Sequence, residues 1–131
     1  MPQDLPSYLE MIRTRNSEDL IQVEREFNPS FEITATVAKL EQVARKRPVL
    51  TFENVTGSDF PVLTNLHASR SRLALAMNAE PGEMLRKYLH AMENPIAPTV
   101  IDDAPCQQVV MTGDDVDLSR LPQVEHHNGD A

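Results

Sequence analysis

Prolines fix where the regular structure of this chain can begin and end. Proline cannot continue a helix and donates no hydrogen bond to a sheet, so an apolar pattern that reaches a proline ends there. The chain has ten prolines, among them those at positions 29, 48, 95, 98, 105 and 122. The elements between them must be short, and the stretch after Pro95 is too interrupted to build a core alone.

The periods of the apolar residues separate helices from strands. Asp4 and Pro6 predict the start of a first helix, which ends at Asn16. A stronger helix is predicted before Pro48, where one apolar stripe contains Ile33, Val37, Leu40 and Ala44. Two more helices are predicted over residues 69–78 and 81–94, and the second has a stripe of Met84, Tyr88, Leu89 and Met92. Short apolar runs predict strands over residues 20–26, 49–52, 61–66 and 107–111.

This order of elements predicts an α/β (α+β) fold with a small mixed sheet flanked by helices and a proline-rich extended C-terminal segment. The short connection between residues 49–52 and 61–66 makes that pair of strands antiparallel. We expect an N-terminal domain over residues 1–103 and an extended segment over residues 104–131. The predicted core, in which the main helix packs on the sheet, contains Ile33, Val37, Leu40, Phe52 and Leu63.

The composition excludes several classes of function. A net charge of -8 disfavours nucleic acid as a partner, and the one basic cluster, Arg45-Lys46-Arg47, falls where a helix ends and suits its dipole. No apolar run approaches the roughly 20 residues of a membrane-spanning helix. Cys106 is the single cysteine, so no disulfide can form within the chain. These features predict a cytoplasmic protein that does not insert into membranes.

Few residues form a pattern that indicates chemistry. His126, His127 and Asp130 are close enough in sequence to suggest a metal site, but adjacent histidines in a strand point to opposite faces and no further ligand is evident. The carboxylate pairs Asp102-Asp103 and Asp114-Asp115 lie in turn-like sequence, which favours solvated loops over acid/base chemistry. Cys106 has no nucleophile signature around it. Spacing alone therefore assigns no catalytic, cofactor-binding or metal residue.

Six segments, taken in order, resemble the N-terminal part of the UbiD family of prenylated-FMN-dependent decarboxylases. Residues 26–34 resemble an acidic entry to a helix in that family, although Asn28 stands for its usual aspartate and Phe31 for its usual leucine. Residues 48–57 resemble the family's P-x-L-x-F-x-N-x-x-G strand and turn, and residues 61–66 resemble the strand after it. The remaining matches cover residues 94–98, 104–106 and, most specifically, 115–122 (DVDLSRLP).

The resemblance implies a carboxy-lyase that acts on an aromatic or α,β-unsaturated acid. In that family the flavin-binding split barrel, the catalytic arginine and two catalytic glutamates follow the region that resembles this chain. Residues 104–131 would lead toward that missing domain, and the chain alone is predicted to be inactive and free of flavin. The resemblance implies prenylated FMN with a divalent metal, and potassium as a further candidate, in the parent enzyme.

The partners and the competing functions follow from the same reasoning. The expected partners are the remainder of the parent enzyme or a second subunit, the small acid substrate in the full enzyme, and further copies in a homo-oligomer. One alternative is a free-standing, non-catalytic partner or regulatory subunit with the same fold. Another is an unrelated small binding module.

Overall fold

In a computed structural model, which describes residues 4–130, three strands and four α-helices follow one another in the predicted order. The helices are α1 (Leu5–Arg15), α2 (Glu32–Lys39), α3 (Arg70–Ala76) and α4 (Met84–Glu93). The strands are β1 (Leu20–Phe27), β2 (Val49–Val55) and β3 (Val62–Thr64). The mixed α/β fold with a small sheet is therefore confirmed. No helix of residues 4–130 is long and apolar enough to span a bilayer.

The sheet has the order β1-β2-β3 and combines both kinds of pairing. β1 and β2 run parallel, joined by a crossover through α2, and an irregularity between Val23 and Glu26 shifts their register. β2 and β3 are antiparallel across a short connection, as the sequence predicted. β2 extends to Val55, three residues beyond the predicted end, because β1 also continues to Phe27 and pairs with it there.

α1 is the helix that the sequence located best. Asp4 caps it through a hydrogen bond from the Ser7 amide to the Asp4 carboxylate at 2.8 Å, and the Ser7 hydroxyl accepts from the Asp4 amide in return. These backbone and side-chain bonds from Ser7 lower the pKa of Asp4. Tyr8 and Ile12, one turn apart, bury their side chains, and Asn16 ends the helix.

α2 departs from the predicted helix at its C-terminal end. The regular helix stops at Lys39, and residues 40–44 continue as a single wider π-turn that Arg45 ends in a left-handed conformation, with φ of 54°. Ile33 is buried and Leu40 is half-buried, but Ala44 is exposed. Residues 42–44 of the wider turn are exposed, so the predicted stripe, with its steps of four, three and four residues, ends before Ala44.

Two apolar clusters lie on the sheet. The first contains Phe27, Ile33, Leu50, Phe52 and Val55, with Val37 and Leu40 packed against it. Phe27 and Phe52 meet edge to face, with their ring centroids 4.7 Å apart. The second cluster contains Tyr8, Ile12 and Val49, and Leu63 packs against this cluster. The predicted grouping of Leu63 with the α2 residues was therefore wrong: alternate residues of a strand face opposite sides of the sheet, and Val62 is the β3 residue that packs on the α2 cluster.

A buried arginine connects α3 to the sheet. Only 4% of Arg72 is exposed, and its guanidinium donates to the carbonyls of Arg47, Asn65 and Leu66. Asp19 lies 3.7 Å from it, and the Tyr8 hydroxyl donates to the Arg72 carbonyl at 2.8 Å. The buried charge is thus satisfied by hydrogen bonds on several sides, which is the condition for burying an arginine without a large penalty.

The predicted strand at residues 107–111 does not form. Residues 105–107 make a 3-10 turn, and Val109, Val110 and Met111 are exposed without strand pairing. A strand needs a neighbour for its N–H and C=O groups, and no other described segment pairs with this one through backbone bridges. The apolar run alone was therefore insufficient evidence for a strand.

Candidate functional site

The C-terminal residues return to the domain and dock on it far from their neighbours in sequence. Residues 120–130, which we call the latch, lie against the turn between β1 and α2. The Glu125 amide donates to the Pro29 carbonyl at 3.2 Å, and the Phe31 amide donates to the Glu125 carbonyl at 3.3 Å. These two bonds form a one-residue parallel bridge between Ser30 and Glu125. The latch therefore extends the domain by backbone pairing as well as side-chain contact.

Thr34, in the first turn of α2, is the main side chain that holds the latch. Its hydroxyl lies 2.9 Å from Nδ1 of His126 and 3.3 Å from the Glu125 carbonyl. A hydroxyl has one proton, so when it donates to the Glu125 carbonyl it accepts from a protonated Nδ1 of His126. Beside this contact, Val124 packs against the apolar cluster of Ile33 and Phe52.

Asp130 closes a turn at the end of the latch. Its carboxylate accepts from the His127 amide at 2.6 Å and from the His126 amide at 2.9 Å. These backbone bonds, and then the two nearby imidazoles, lower the pKa of Asp130. The three residues of the metal hypothesis are thus close together, but the histidine backbones face the carboxylate. Within residues 4–130 no three His, Cys, Asp or Glu side chains are arranged to hold a metal ion.

A second attachment lies where the latch begins. The Ser58 hydroxyl, in the loop between β2 and β3, donates to the Arg120 carbonyl at 2.8 Å, and the Arg120 guanidinium approaches the Asp59 carboxylate to 4.0 Å. A 3-10 turn over residues 118–120, capped by Asp117, precedes it. The hydroxyl and amide of Ser119 lower the pKa of Asp117. The loop between β2 and β3 thus holds the start of the latch, and the turn between β1 and α2 holds its middle, at Glu125 and His126.

An apolar cavity of about 450 Å³ lies beneath the latch, between α2 and β3. Its walls include Ile33, Val37, Val62, Val124 and His126. The Thr64 hydroxyl, which is buried at this place, has no hydrogen-bond partner. The cavity is therefore mainly hydrophobic, with a few polar groups near the latch.

A charged cleft of about 570 Å³ lies on another side of the domain, between the end of α2 and the start of α3. Three ion pairs line it: Lys46 with Glu18 at 2.8 Å, Arg47 with Glu41, and Arg72 with Asp19. Arg45 and Arg70 line the cleft as well. The bond and charge of Lys46 lower the pKa of Glu18, and Glu18 raises the pKa of Lys46. The cleft thus contains five cationic side chains and three carboxylates.

The remaining candidate residues lie apart from the latch and from the charged cleft. Asp102 and Asp103 are exposed, as are Asp114 and Asp115 in a 3-10 turn, and the free thiol of Cys106 is exposed in another. The latch residues Ser30, Thr34 and Ser58 were not singled out from sequence. Their partners are 62 to 95 residues away, a separation that leaves no local pattern. The only local signal was Gly129 before Asp130, which is typical of a turn.

Comparison with known proteins decides the family. Residues 13–92 match the model of the N-terminal domain of 3-octaprenyl-4-hydroxybenzoate carboxy-lyase, UbiD. The chain belongs to the UbiD family.

Solved structures of UbiD-class enzymes share the fold over most of the chain. An evolved dimeric form of HmfF from Pelotomaculum thermopropionicum, in complex with prFMN, has a TM-score of 0.82 and 30% identity, with 96% of this chain and 29% of that one covered. Vanillic acid decarboxylase from Sedimentibacter hydroxybenzoicus, in an open form, has a TM-score of 0.75 and 25% identity, covering 98% of this chain and 28% of that one.

The 3,4-dihydroxybenzoic acid decarboxylase of Enterobacter cloacae, in its apo form, is similar over a smaller part. Its TM-score is 0.65 and its identity 25%, and 76% of this chain and 22% of that one are covered. This UbiD-family chain thus spans less than a third of the length of these solved relatives.

Proposed function

We propose that this chain is the N-terminal domain of a UbiD-class enzyme that decarboxylates, or reversibly carboxylates, an aromatic or α,β-unsaturated carboxylic acid through prenylated FMN. The match to the family's N-terminal domain over residues 13–92 is the observation that carries the proposal. Two further findings support it: a similar UbiD-class structure holds prFMN, and two others are decarboxylases of aromatic acids.

The role proposed for this domain is structural. Residues 1–103 would form the framework, and residues 104–131 would lead from it toward a flavin-binding split barrel. The latch supports this role, because Pro29, Phe31 and Thr34 hold Glu125 and His126 at a fixed place on the domain. A segment held at this point would enter the next domain from a defined position and direction.

The chemistry would be supplied by residues outside this chain. Prenylated FMN, when bound, supplies the electron sink for loss of carbon dioxide. We assign no catalytic, cofactor-binding or metal residue here, and we expect the 131-residue chain alone to be inactive. The flavin, a divalent metal and potassium would bind in the parent enzyme. We expect that enzyme to be cytoplasmic and homo-oligomeric, with the remainder of the enzyme or a second subunit as the partner of this domain.

The reading frame that encodes the chain tests this proposal first. Continuation into a flavin domain is the expected result, and the encoded full-length protein should then release carbon dioxide from members of a panel of aromatic and α,β-unsaturated acids. A stop codon directly after Ala131 would overturn the proposal and favour a free-standing partner subunit. A full-length protein that binds prenylated FMN but is inactive on every acid of the panel would contradict the proposed substrate class.

Flavin binding by the isolated chain is the second test. The 131-residue protein is mixed with FMN, passed through a desalting column and examined by its visible absorbance spectrum. We expect no flavin to remain with the protein. Stoichiometric flavin absorbance would show that this domain contains its own cofactor site, and the structural role proposed for it would then be wrong.

A further inference from the structure

α4 is an amphipathic helix whose apolar side remains largely exposed. Leu85 is 69% exposed, Tyr88 53%, Leu89 51% and Met92 65%. No residue of the helix is buried. On the side of α3, Met84, Leu85 and Tyr88 line an open groove with Leu73, which is itself 39% exposed. The four side chains therefore form a continuous apolar strip on the surface, which we call the α4 strip.

A helix of ten residues is not stable in water by its own hydrogen bonds. Helices this short usually persist because an apolar face is packed against something else. α4 has a strong amphipathic pattern, and its Lys87 side chain donates to the Asn78 carbonyl at 2.6 Å. None of its residues, however, is buried. The physical chemistry of α4 therefore requires a surface that covers the α4 strip.

The spacing of the α4 strip is complementary to itself. Leu85, Tyr88, Leu89 and Met92 stand at positions i, i+3, i+4 and i+7 of one face. If a second α4 packs antiparallel about a two-fold axis between positions 88 and 89, each Leu85 lies opposite Met92 of the other copy. Each Tyr88 then lies opposite Leu89. Such reciprocal contact is what a two-fold interface between identical chains requires.

The charges beside the strip select the antiparallel arrangement. Arg86 and Glu93 are seven residues apart, so they project from the same flank of the helix. In an antiparallel pair, Arg86 of each copy, which also pairs with Glu83 of its own helix at 2.7 Å, lies close to Glu93 of the other copy. In a parallel two-fold pair this flank of the two helices lies on opposite edges of the seam, so Arg86 and Glu93 do not meet. Antiparallel helices also oppose their dipoles favourably. His90 projects from the far side, away from the seam.

We propose that the α4 strips of two copies of this chain pack antiparallel and form a homodimer contact. The contact names a surface for the homo-oligomer expected above, and it rests on none of the proposed chemistry. A seam this short buries less than the ~800 Å² per partner of a stable complex, so the isolated chain should associate weakly, with a dissociation constant of ~0.1 mM.

Sedimentation equilibrium of the 131-residue chain, from ~1 µM to ~1 mM, tests the association. We expect a monomer–dimer equilibrium that Tyr88→Glu weakens at least tenfold, because each dimer would bury two new charges in the seam. His90→Glu adds the same charge on the opposite side of α4 and should leave the equilibrium unchanged. Circular dichroism confirms that both variants are folded. A chain that stays monomeric over the whole concentration range would overturn the proposal.

Charge reversal tests the orientation. Arg86→Glu and Glu93→Arg should each weaken the dimer, and the double variant should restore the wild-type equilibrium, since the opposite charges are again adjacent. A dimer that Tyr88→Glu leaves intact would place the contact elsewhere on the molecule. A dimer that the double variant weakens further than either single variant would show that the helices are not antiparallel. Either result contradicts the proposed packing.

Discussion

α1 and α4 are helices of similar length that lie in different surroundings. α1 has eleven residues and buries Tyr8 and Ile12 against β2, whereas α4 has ten residues and buries none. Both carry apolar side chains at helical spacing, so the pattern by itself does not separate them. α1 is covered because the chain turns back at Asn16 into β1 and brings the sheet over it. An apolar stripe therefore predicts a helix, but the surface that covers it depends on the topology.

Because the two helices differ in burial, we expect truncation of their apolar side chains to lower the free energy of unfolding by different amounts. The largest loss is expected in α1. Ile12→Ala removes a side chain that is 2% exposed and leaves a cavity beside Val49 and Tyr8. The free energy of unfolding should fall by ~2–5 kcal/mol, measured by urea denaturation. Met11→Ala, at an exposed position of the same helix, is the matched control. If both variants lose less than ~0.5 kcal/mol, α1 does not dock as the structure has it.

A smaller effect is expected at the π-turn after α2. Truncating a fully buried leucine at position 40 would lower the free energy of unfolding by ~2–5 kcal/mol, but Leu40 is only half-buried. We expect Leu40→Ala to lower the free energy of unfolding by ~1–2 kcal/mol, since part of its side chain is already in water. Val43→Ala, in the same turn but 75% exposed, should be close to neutral. Equal losses at the two positions would contradict the π-turn.

The latch should respond to the loss of a single hydroxyl. Thr34→Val preserves the shape of the side chain but removes its contacts with His126 and the Glu125 carbonyl, which together contribute ~1 kcal/mol. Hydrogen exchange should then accelerate in peptides that cover residues 120–130. Peptides from residues 95–111, which are exposed already, should not change. Thr36→Val is the control, because its hydroxyl bonds only within α2; a faster latch in that variant would indicate a general loss of stability.

Acid should loosen the same segment. The amides of His127 and His126 lower the pKa of Asp130 in the folded chain, so the turn gains stability above the unfolded pKa and loses it as pH falls through the folded one. We expect the amide resonances of His126 and His127 to shift below about pH 4, measured by NMR. Asp130→Asn should abolish this transition. A wild-type chain whose resonances stay constant down to about pH 2 would show that the carboxylate is not the acceptor.

Local patterns gave the elements that depend on local physics. The cap at Asp4, the strands on either side of α2 and the antiparallel return to β3 follow from residue types within a few positions. One local feature could not be derived that way. The π-turn at residues 40–44 keeps the helical spacing of its side chains in sequence, and only its wider backbone exposes Ala44.

Long-range contacts account for most of what the sequence left open. The apolar run at residues 109–111 has the composition of a strand, but pairing needs a second segment, and the described chain supplies none. Conversely, residues 124–126 have no strand-like composition, but Glu125 still pairs with Ser30 in the turn between β1 and α2. Thr34 would have been an ordinary helix residue without that contact. The candidate site was therefore beyond single-sequence reasoning, because its two halves meet only in the folded chain.

Leu89→Ala in α4 should have the smallest effect, and its dependence on concentration distinguishes a solvated helix from a helix that has a partner. In dilute solution Leu89 is half in water and touches no buried cluster, so truncation should change the free energy of unfolding by less than ~0.5 kcal/mol. At high concentration, dimerisation stabilises the folded chain by mass action, and the variant should lose that increment. Urea denaturation of the wild type and Leu89→Ala at ~5 µM and ~0.5 mM measures both. Equal midpoints for the two proteins at both concentrations would mean that the α4 strip contributes to no contact, and α4 would then differ from α1 in having no partner at all.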